Sequence, residues 1–504
     1  MARVLVAVIA LASFCHAVIR EEDFAAEDII VRDIAILGAG ASGTYAAIRL
    51  REDYNLSIAV IEKDDHIGGH TNTYTDPETQ KPVDYGVLAF WDYGPAKSYF
   101  ARLDVETMAA PPEGGTTVYV DSETARNVTD YQVPAFSDVL KSIAIYGNES
   151  GKYDDILLPG YWNFPSGDDI PADLLLSYGE FSQKYGIDNF YPMLQIIAGV
   201  GVGGVRDIPL LYVMGFGLDH PAIQSLLQNG LFVPKSGSNA EIYQKAYARI
   251  KDDILLSSSV VSAERDEHDG VHLVVQTSDN CKRLIKAKQL LVTPAPSIQN
   301  LGSLDLDDQE SAVFVSSTPR PIHVGLAKTS AIPRNYSVQY VSSKVAPDNY
   351  LDMYQDIKHD LKIQSTGPEE LQLFRVLLET TSDLPLTEDE AKAYITSQVQ
   401  KLAAAGTLNS VKPPDAAAGS GDAQTANGGA VTVEFKAFKS HSSVMWRLPA
   451  DEIKAGFIQN LYALQGHRST WYTGSLWCTD FSSNVWAFTD TVLERMVGAR
   501  KKDG

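Results

Sequence analysis

The stretch Ile34–Thr73, IAILGAGASGTYAAIRLREDYNLSIAVIEKDDHIGGHTNT, leaves this chain few folds to choose from. Ile34–Leu37 is a short apolar run of the kind that forms a buried parallel strand. Gly38, Gly40 and Gly43 follow in GxGxxG spacing, with Ala41 and Ser42 inside the turn. The first glycine permits a tight turn, the second lets a pyrophosphate reach the backbone, and the third lets helix pack on strand. Thr44–Arg51 has a helical pattern with Ala46, Ala47 and Leu50 on the packing side. The unsatisfied N–H groups at its start form an anion site. A second strand, Ser57–Ile61, ends in Glu62, where a ribose hydroxyl needs an acceptor. Strand, turn, helix, strand and acid occur in order, which predicts a Rossmann-type dinucleotide site.

After Glu62 come five residues, then Gly68, Gly69, His70 and Thr71. An acid, five residues and GG-x-x-x-T resembles the flavin-dependent amine oxidase superfamily. The resemblance implies FAD as the cofactor, held in an α/β fold. A Rossmann-type FAD-binding domain, amine oxidase- and glutathione reductase-like, is joined there to a mixed α+β substrate domain. Many members carry Arg after the two glycines, where this chain has His70. In the same superfamily a D-x-G segment lies beside the flavin. Asp84-Tyr85-Gly86 matches it, which implies that Gly86 and Val87 approach the ring system.

At 504 residues, with 44% apolar and 21% charged side chains, the chain is globular and long enough for two or three domains. Met1–Ala17 reads as a signal peptide: Arg3, an apolar Val4–Phe14, and a small-x-small Cys15-His16-Ala17 site. It is too short to span a bilayer. A secreted protein is therefore expected. The sequons at Asn55, Asn127, Asn148 and Asn335 agree with this. The net charge of −22 disfavours nucleic acid and anionic lipid as partners. Cys281 and Cys478, all that remain beyond the signal, cannot form a disulfide framework and are expected as two buried thiols. No CxxC pair and no metal-ligand spacing occurs, so no metal is expected.

The expected FAD-binding domain is discontinuous, from residues 30–105, 230–300 and 435–500. The substrate domain takes 106–229 and 301–434. Within the latter, Pro171–Tyr185 reads as one helix and Phe314–Lys328 as a strand. Residues 405–430, rich in Gly, Ala, Pro and Ser, read as a disordered insertion. Gly199, Gly201 and Gly204 repeat the GxGxxG spacing, but Pro209 breaks the helix it needs and no acid-ended strand follows. Ser238 or Asn239 is a candidate cap for a helix carrying Ile242, Ala246 and Ile250. A hairpin about Asp269-Gly270 follows it. In the superfamily this unit holds the adenine through a valine backbone, a place matched by Val260, with Val261 as the alternative.

Thr470–Trp477 reads as strand then glycine turn, and Ser482 or Ser483 is expected to cap a last helix, Val485–Val497. The superfamily ends likewise. Gly474 and Ser475 then match the flavin phosphate and ribityl contact, and Val485 and Trp486 the helix start that faces the flavin. Such a helix start stabilises the negative charge of reduced flavin. The function expected is hydride transfer from an amine or other small oxidisable metabolite to the flavin, with oxygen or another acceptor completing the cycle. A non-catalytic flavin carrier and a nicotinamide-dependent dehydrogenase are the alternatives. No spacing assigns a catalytic residue; His70, Lys235, His323 and His441 are the polar candidates.

Overall fold

A computed structural model describes residues 19–111, 115–198, 205–228, 230–380, 385–408 and 431–503. The expected signal peptide, the run Gly199–Gly204 and residues 409–430 of the expected insertion lie outside these. Along the chain, the strands of the two large sheets are β1 (Ile29–Leu37), β2 (Ile58–Ile61), β3 (Thr116–Asp121), β4 (Ile254–Leu255), β5 (Ser259–Asp266), β6 (Gly270–Gln276), β7 (Lys282–Val292), β8 (Ser317–Lys328), β9 (Tyr336–Val341), β10 (His359–Thr366), β11 (Leu373–Thr380), β12 (Glu434–Trp446) and β13 (Thr470–Tyr472). Four helices frame the site or back its sheets: α1 (Ala41–Glu52), α2 (Ala240–Ile250), α3 (Glu388–Ala405) and α4 (Ser482–Asp503).

Among the described residues the first sheet has seven strands, ordered β5-β6-β7-β1-β2-β4, with β13 beside the far half of β7. β1 lies between two parallel neighbours: Ile34 is opposite Ile58 and Gln289, Leu37 opposite Ile61 and Val292. Ile34, Ala35 and Ile36 are wholly buried, which is why the run is apolar without alternation. β7 pairs antiparallel with β6 and, over Leu290–Val292, parallel with β13. One strand thus joins pieces of chain from three distant regions. α4 packs on α1, with Trp486 stacked 6.1 Å from Tyr45 and Asp490 bonded to Tyr45 and Arg49.

The second sheet runs β12-β8-β11-β10-β9-β3, antiparallel except for β9 with β3. α3 covers one face through Ala391, Ile395, Val399 and Leu402, packed on Val338, Leu361, Ile363, Val376 and Leu378. Because side chains alternate along a strand, the other face carries Arg320, Glu379, Asp360 and Lys362. All four are buried. Arg320 grips Glu379 at 3.1 and 3.2 Å, and Lys362 lies 3.4 Å from Asp360.

The α/β class is as expected; several local expectations need correction. β12 pairs with β8 along its whole length, so residues 435–446 belong to the second sheet and not to the cofactor lobe. Pro171–Tyr185 is two helices, Ala172–Leu175 and Tyr178–Tyr185, because Ser177 is extended and caps the second in a box with Glu180. Residues 308–314 are helical, capped by Asp307 and Glu310, and the strand begins only at Ser317. Cys281 is exposed rather than buried; Cys478 is buried, and both are free thiols.

Two buried acids generate tests. Arg265, whose side chain is 0% exposed, bonds Glu310 at 2.6 and 2.8 Å and Asp305 at 2.7 Å, tying β5 to the segment before β8. Arg265→Leu takes from Glu310 its bidentate partner, leaving the Tyr472 hydroxyl, the capping contact with Asp307 and Arg468 at 3.6 Å, and should cost about 3–5 kcal/mol in chemical denaturation. Asp219 caps the helix His220–Leu227 through Ala222 N at 2.9 Å, and burial pushes its pKa up to about 6. The native protein therefore holds a proton that the unfolded chain, with a pKa of about 3.9, releases. Stability from this group is full below about pH 4 and falls by up to about 3 kcal/mol as pH rises through 6. Asp219→Asn should flatten that slope, measured as the melting-temperature difference between pH 4.5 and pH 7.5.

Candidate cofactor site

The centre of the site is the turn after β1. A Cβ at Gly43 would stand 2.0 Å from the Gly38 carbonyl oxygen, so only glycine allows α1 to start where it does. Gly38 N–H donates to Ile61 O at 2.8 Å, anchoring the turn on β2. Glu62, buried at the end of β2, accepts from Ala39 N–H at 2.6 Å and Asp64 N–H at 2.9 Å. A carboxylate offers about four lone-pair directions, so a ribose hydroxyl still finds an acceptor there.

Gly68 N–H donates to Ala39 O at 2.9 Å, laying the double glycine on the first turn. A Cβ on Gly69 would be 3.0 Å from Gly40 Cα. The cradle is thus lined by backbone, which is what a pyrophosphate requires. Thr71 is buried beside Gly68 and Tyr243. From the far end of the chain, Gly474 enters at φ +121°, with Thr293 O 3.0 Å and Ser42 Oγ 4.0 Å from its virtual Cβ. Gly38, Gly40, Ala41, Ser42, Gly43, Glu62, Gly68, Gly69 and Gly474 therefore gather at one place. These features fit a dinucleotide.

Val260 is buried and pairs with Val275; Val261 is the extra residue of a β-bulge and is exposed. Ser258 N–H, two residues earlier, donates to Glu62 O at 2.8 Å, so Val260 stands next to the acid. Ser475 lines a small cavity with Tyr161, Tyr212, Phe216, Arg320 and Trp446. The Tyr212 hydroxyl is buried there without a protein partner among the described residues.

Three placements extend or differ from expectation. A Cβ at Gly86 would meet His70 O at 2.0 Å, so the 70–72 backbone by itself requires glycine here. Val87 N–H accordingly donates to His70 O at 3.1 Å. α4 begins at Ser482, three residues early, and Val485 N–H is spent on Phe481 O at 2.8 Å. The N–H groups of a helix start then belong to Ser482–Asn484. Trp486 is buried among Tyr45, Phe90 and Tyr99, its indole bonded to Ala41 O at 3.0 Å. Neither serine caps as expected: Ser483 Oγ donates to Trp91 O at 2.8 Å.

A polar network escaped sequence reasoning. Asn239 precedes α2 without a capping bond from its side chain. Its N–H donates to Asp84 Oδ2 at 2.9 Å and its Nδ2 to Val87 O at 2.7 Å. Burial pushes Asp84 up to about 6. Asn484 Nδ2 donates to Asp219 at 2.6 Å, holding the start of α4. Asn72 touches His441, whose ring is 4.3 Å from that of His70. Of the other polar candidates, Lys235 is an exposed partner of Glu106, and His323 sits on the α3 face bonded to Ser440 at 2.8 Å.

Residues 36–103 match the family model of an NAD(P)-binding Rossmann-like domain. The chain is 32% identical to FAD-dependent oxidoreductase pigF of Monascus ruber, over 94% of this chain and 93% of that protein. It is 31% identical to beta-cyclopiazonate dehydrogenase of Aspergillus oryzae, over 94% and 95%. The fold is shared with wild-type putrescine oxidase bound to putrescine, at TM-score 0.60 and 14% identity over 93% of this chain and all of that one. The chain therefore belongs to the family of FAD-dependent oxidoreductases that contains pigF and beta-cyclopiazonate dehydrogenase.

Proposed function

We propose that the chain is a secreted oxidoreductase holding FAD in the glycine cradle and oxidising an amine or other small metabolite on the side of Ser475. The observation that carries this reading is the meeting of four distant backbone segments, at Gly38–Gly43, Gly68–Gly69, Thr293 and Gly474, around one cradle. FAD held there would supply a hydride acceptor that oxygen or another acceptor reoxidises. The protein binds and orients. Gly38, Gly40, Ala41, Ser42 and Gly43 take the pyrophosphate, Glu62 the ribose, and Val260 the adenine. Gly68, Gly69, His70 and Thr71 take the ribityl side, with Gly474 and Ser475 opposite. Ser482–Asn484 replace Val485 and Trp486 as the helix start that faces negative charge. Tyr161, Tyr212, Phe216 and Trp446 line the small cavity there, and the unpartnered Tyr212 hydroxyl offers a ligand one hydrogen bond.

An amine substrate is reactive when neutral, so no dedicated base is demanded of these residues. The exposure of Asn55, Asn127, Asn148 and Asn335 supports passage through a glycosylating secretory route.

Three outcomes are expected. Purified protein should absorb in the visible, and an oxidisable amine should bleach that band without oxygen. A band that no substrate bleaches would make the protein a carrier, and no band at all would remove FAD. Glu62→Ala should weaken FAD retention by about 1–3 kcal/mol in a fluorescence titration, and unchanged affinity would sink the ribose assignment. Expressed in a secreting eukaryotic host, the chain should reach the medium without residues 1–17 and lose mass on glycan removal. Retention of Met1 inside the cell would refute secretion.

A further inference from the structure

His441 comes to the cofactor site from 369 positions beyond Asn72, and from the other lobe. β12 delivers it. Lys439 pairs with Asp64 at 3.2 Å, close to Glu62, and Trp446 Nε1 donates to Leu476 O at 2.8 Å, beside Ser475. His441 therefore lies between the nucleotide end of the groove and its cavity end, facing His70 at 4.3 Å.

Asn72 settles the protonation of this ring. Its Nδ2 lies 3.1 Å from His70 O, a carbonyl that can only accept, so that end of the amide is the nitrogen. The same Nδ2 lies 3.1 Å from His441 Nε2, and must donate there too. An imidazole nitrogen that accepts carries no proton. His441 is then neutral, with its hydrogen on Nδ1. The surroundings agree. The groups acting on it are His70, Lys439, Lys63 and His323, none of them anionic, and burial with these neighbours pushes its pKa down to about 2.

The Nδ1–H of His441 and the ring nitrogens of His70 have no protein partner among the described residues. His70 is exposed and His441 half-buried, so both rings border open space along the groove. Ring nitrogens that face this groove with no protein partner are free to bond a ligand held in it.

We propose that His441 is a cofactor-facing residue beside His70: its neutral Nδ1–H donates to an acceptor atom of the bound dinucleotide, and Asn72 is the positioning residue that keeps the proton there. This rests on the FAD reading above. It adds a second lobe to the cofactor site, and gives β12 a binding role besides pairing.

The test compares FAD affinity, by fluorescence titration of the stripped full chain, among wild type, His441→Phe and His441→Asn. Phe keeps the ring and removes the donor; Asn places an amide N–H near the Nδ1 position. His441→Phe should bind FAD about five- to tenfold more weakly and displace the bound flavin's visible band, and Asn should restore both. Wild-type affinity in both variants, or equal loss in both, would overturn the proposal. Nitrogen NMR of the wild-type histidines gives a reading independent of the variants' folding. Nδ1 of His441 should be protonated and Nε2 bare from pH 5 to pH 9; a proton on Nε2 would overturn it. Wild-type protein that takes up no FAD defeats the parent reading, whereas wild-type uptake with either overturning result defeats this inference alone.

Discussion

The structure depends on one close approach, that of the Gly43 Cα to the Gly38 carbonyl. The 2.0 Å left for a virtual Cβ is far inside any tolerable contact. This approach sets where α1 begins, and α1 sets where Trp486 and Asp490 of α4 can pack. The same turn receives Glu62 through Ala39 and the double glycine through Gly68. Almost every group that converges there is backbone. Backbone N–H and C=O groups are supplied by any sequence that holds the path, so the demand on side chains falls on glycine and on one acid.

Closure of the groove has a different physical basis. β12 crosses from Asp64 to Leu476 while pairing with β8 along its length. A strand stiffened by a continuous ladder keeps Lys439, His441 and Trp446 at fixed spacing, each side chain pointing to its own face by the two-residue period. The second sheet therefore borders both the glycine cradle and the cavity beside Ser475. Its opposite face is sealed by α3, leaving the polar row of Arg320, Glu379, Asp360 and Lys362 on the cavity side. Charges buried at this depth are tolerable only in pairs, and they are paired.

What was legible in the sequence was local. The GxGxxG turn, Glu62 and Gly68–Gly69 announce themselves because strand, turn and helix must follow each other within a few residues. The Thr387–Glu390 cap of α3 reads off in the same way. Ser177–Glu180 and Asp307–Glu310 are equally local boxes, and reading them would have divided Pro171–Tyr185 and shortened the strand before Lys328. His441 gives no such signal. Its partner Asn72 is hundreds of residues away, and only the pairing of β12 with β8 brings them together. The early start of α4 is a tertiary effect too: Ser483 and Asn484 are drawn into the first turn by Trp91 and Asp219. Gly86 was noticed for a sound reason, its lack of a side chain, and the atom that crowds it is His70 O.

This division between backbone cradle and side-chain wall bears on how relatives at about one-third identity diverge. Substitutions outside the glycines leave a cradle made of main chain intact, so the redox cofactor survives extensive drift. The cavity beside Ser475 is built from Tyr161, Tyr212, Phe216, Arg320 and Trp446, where each substitution alters shape or charge. Fold and cofactor are consequently shared across a family before substrate is, and likeness to an amine-binding structure at 14% identity speaks to the scaffold alone. In the function proposed above, substrate choice falls to the Tyr212 hydroxyl and to Arg320, which line this cavity. Both come from segments outside the nucleotide-binding unit that the first seventy residues make so easy to recognise.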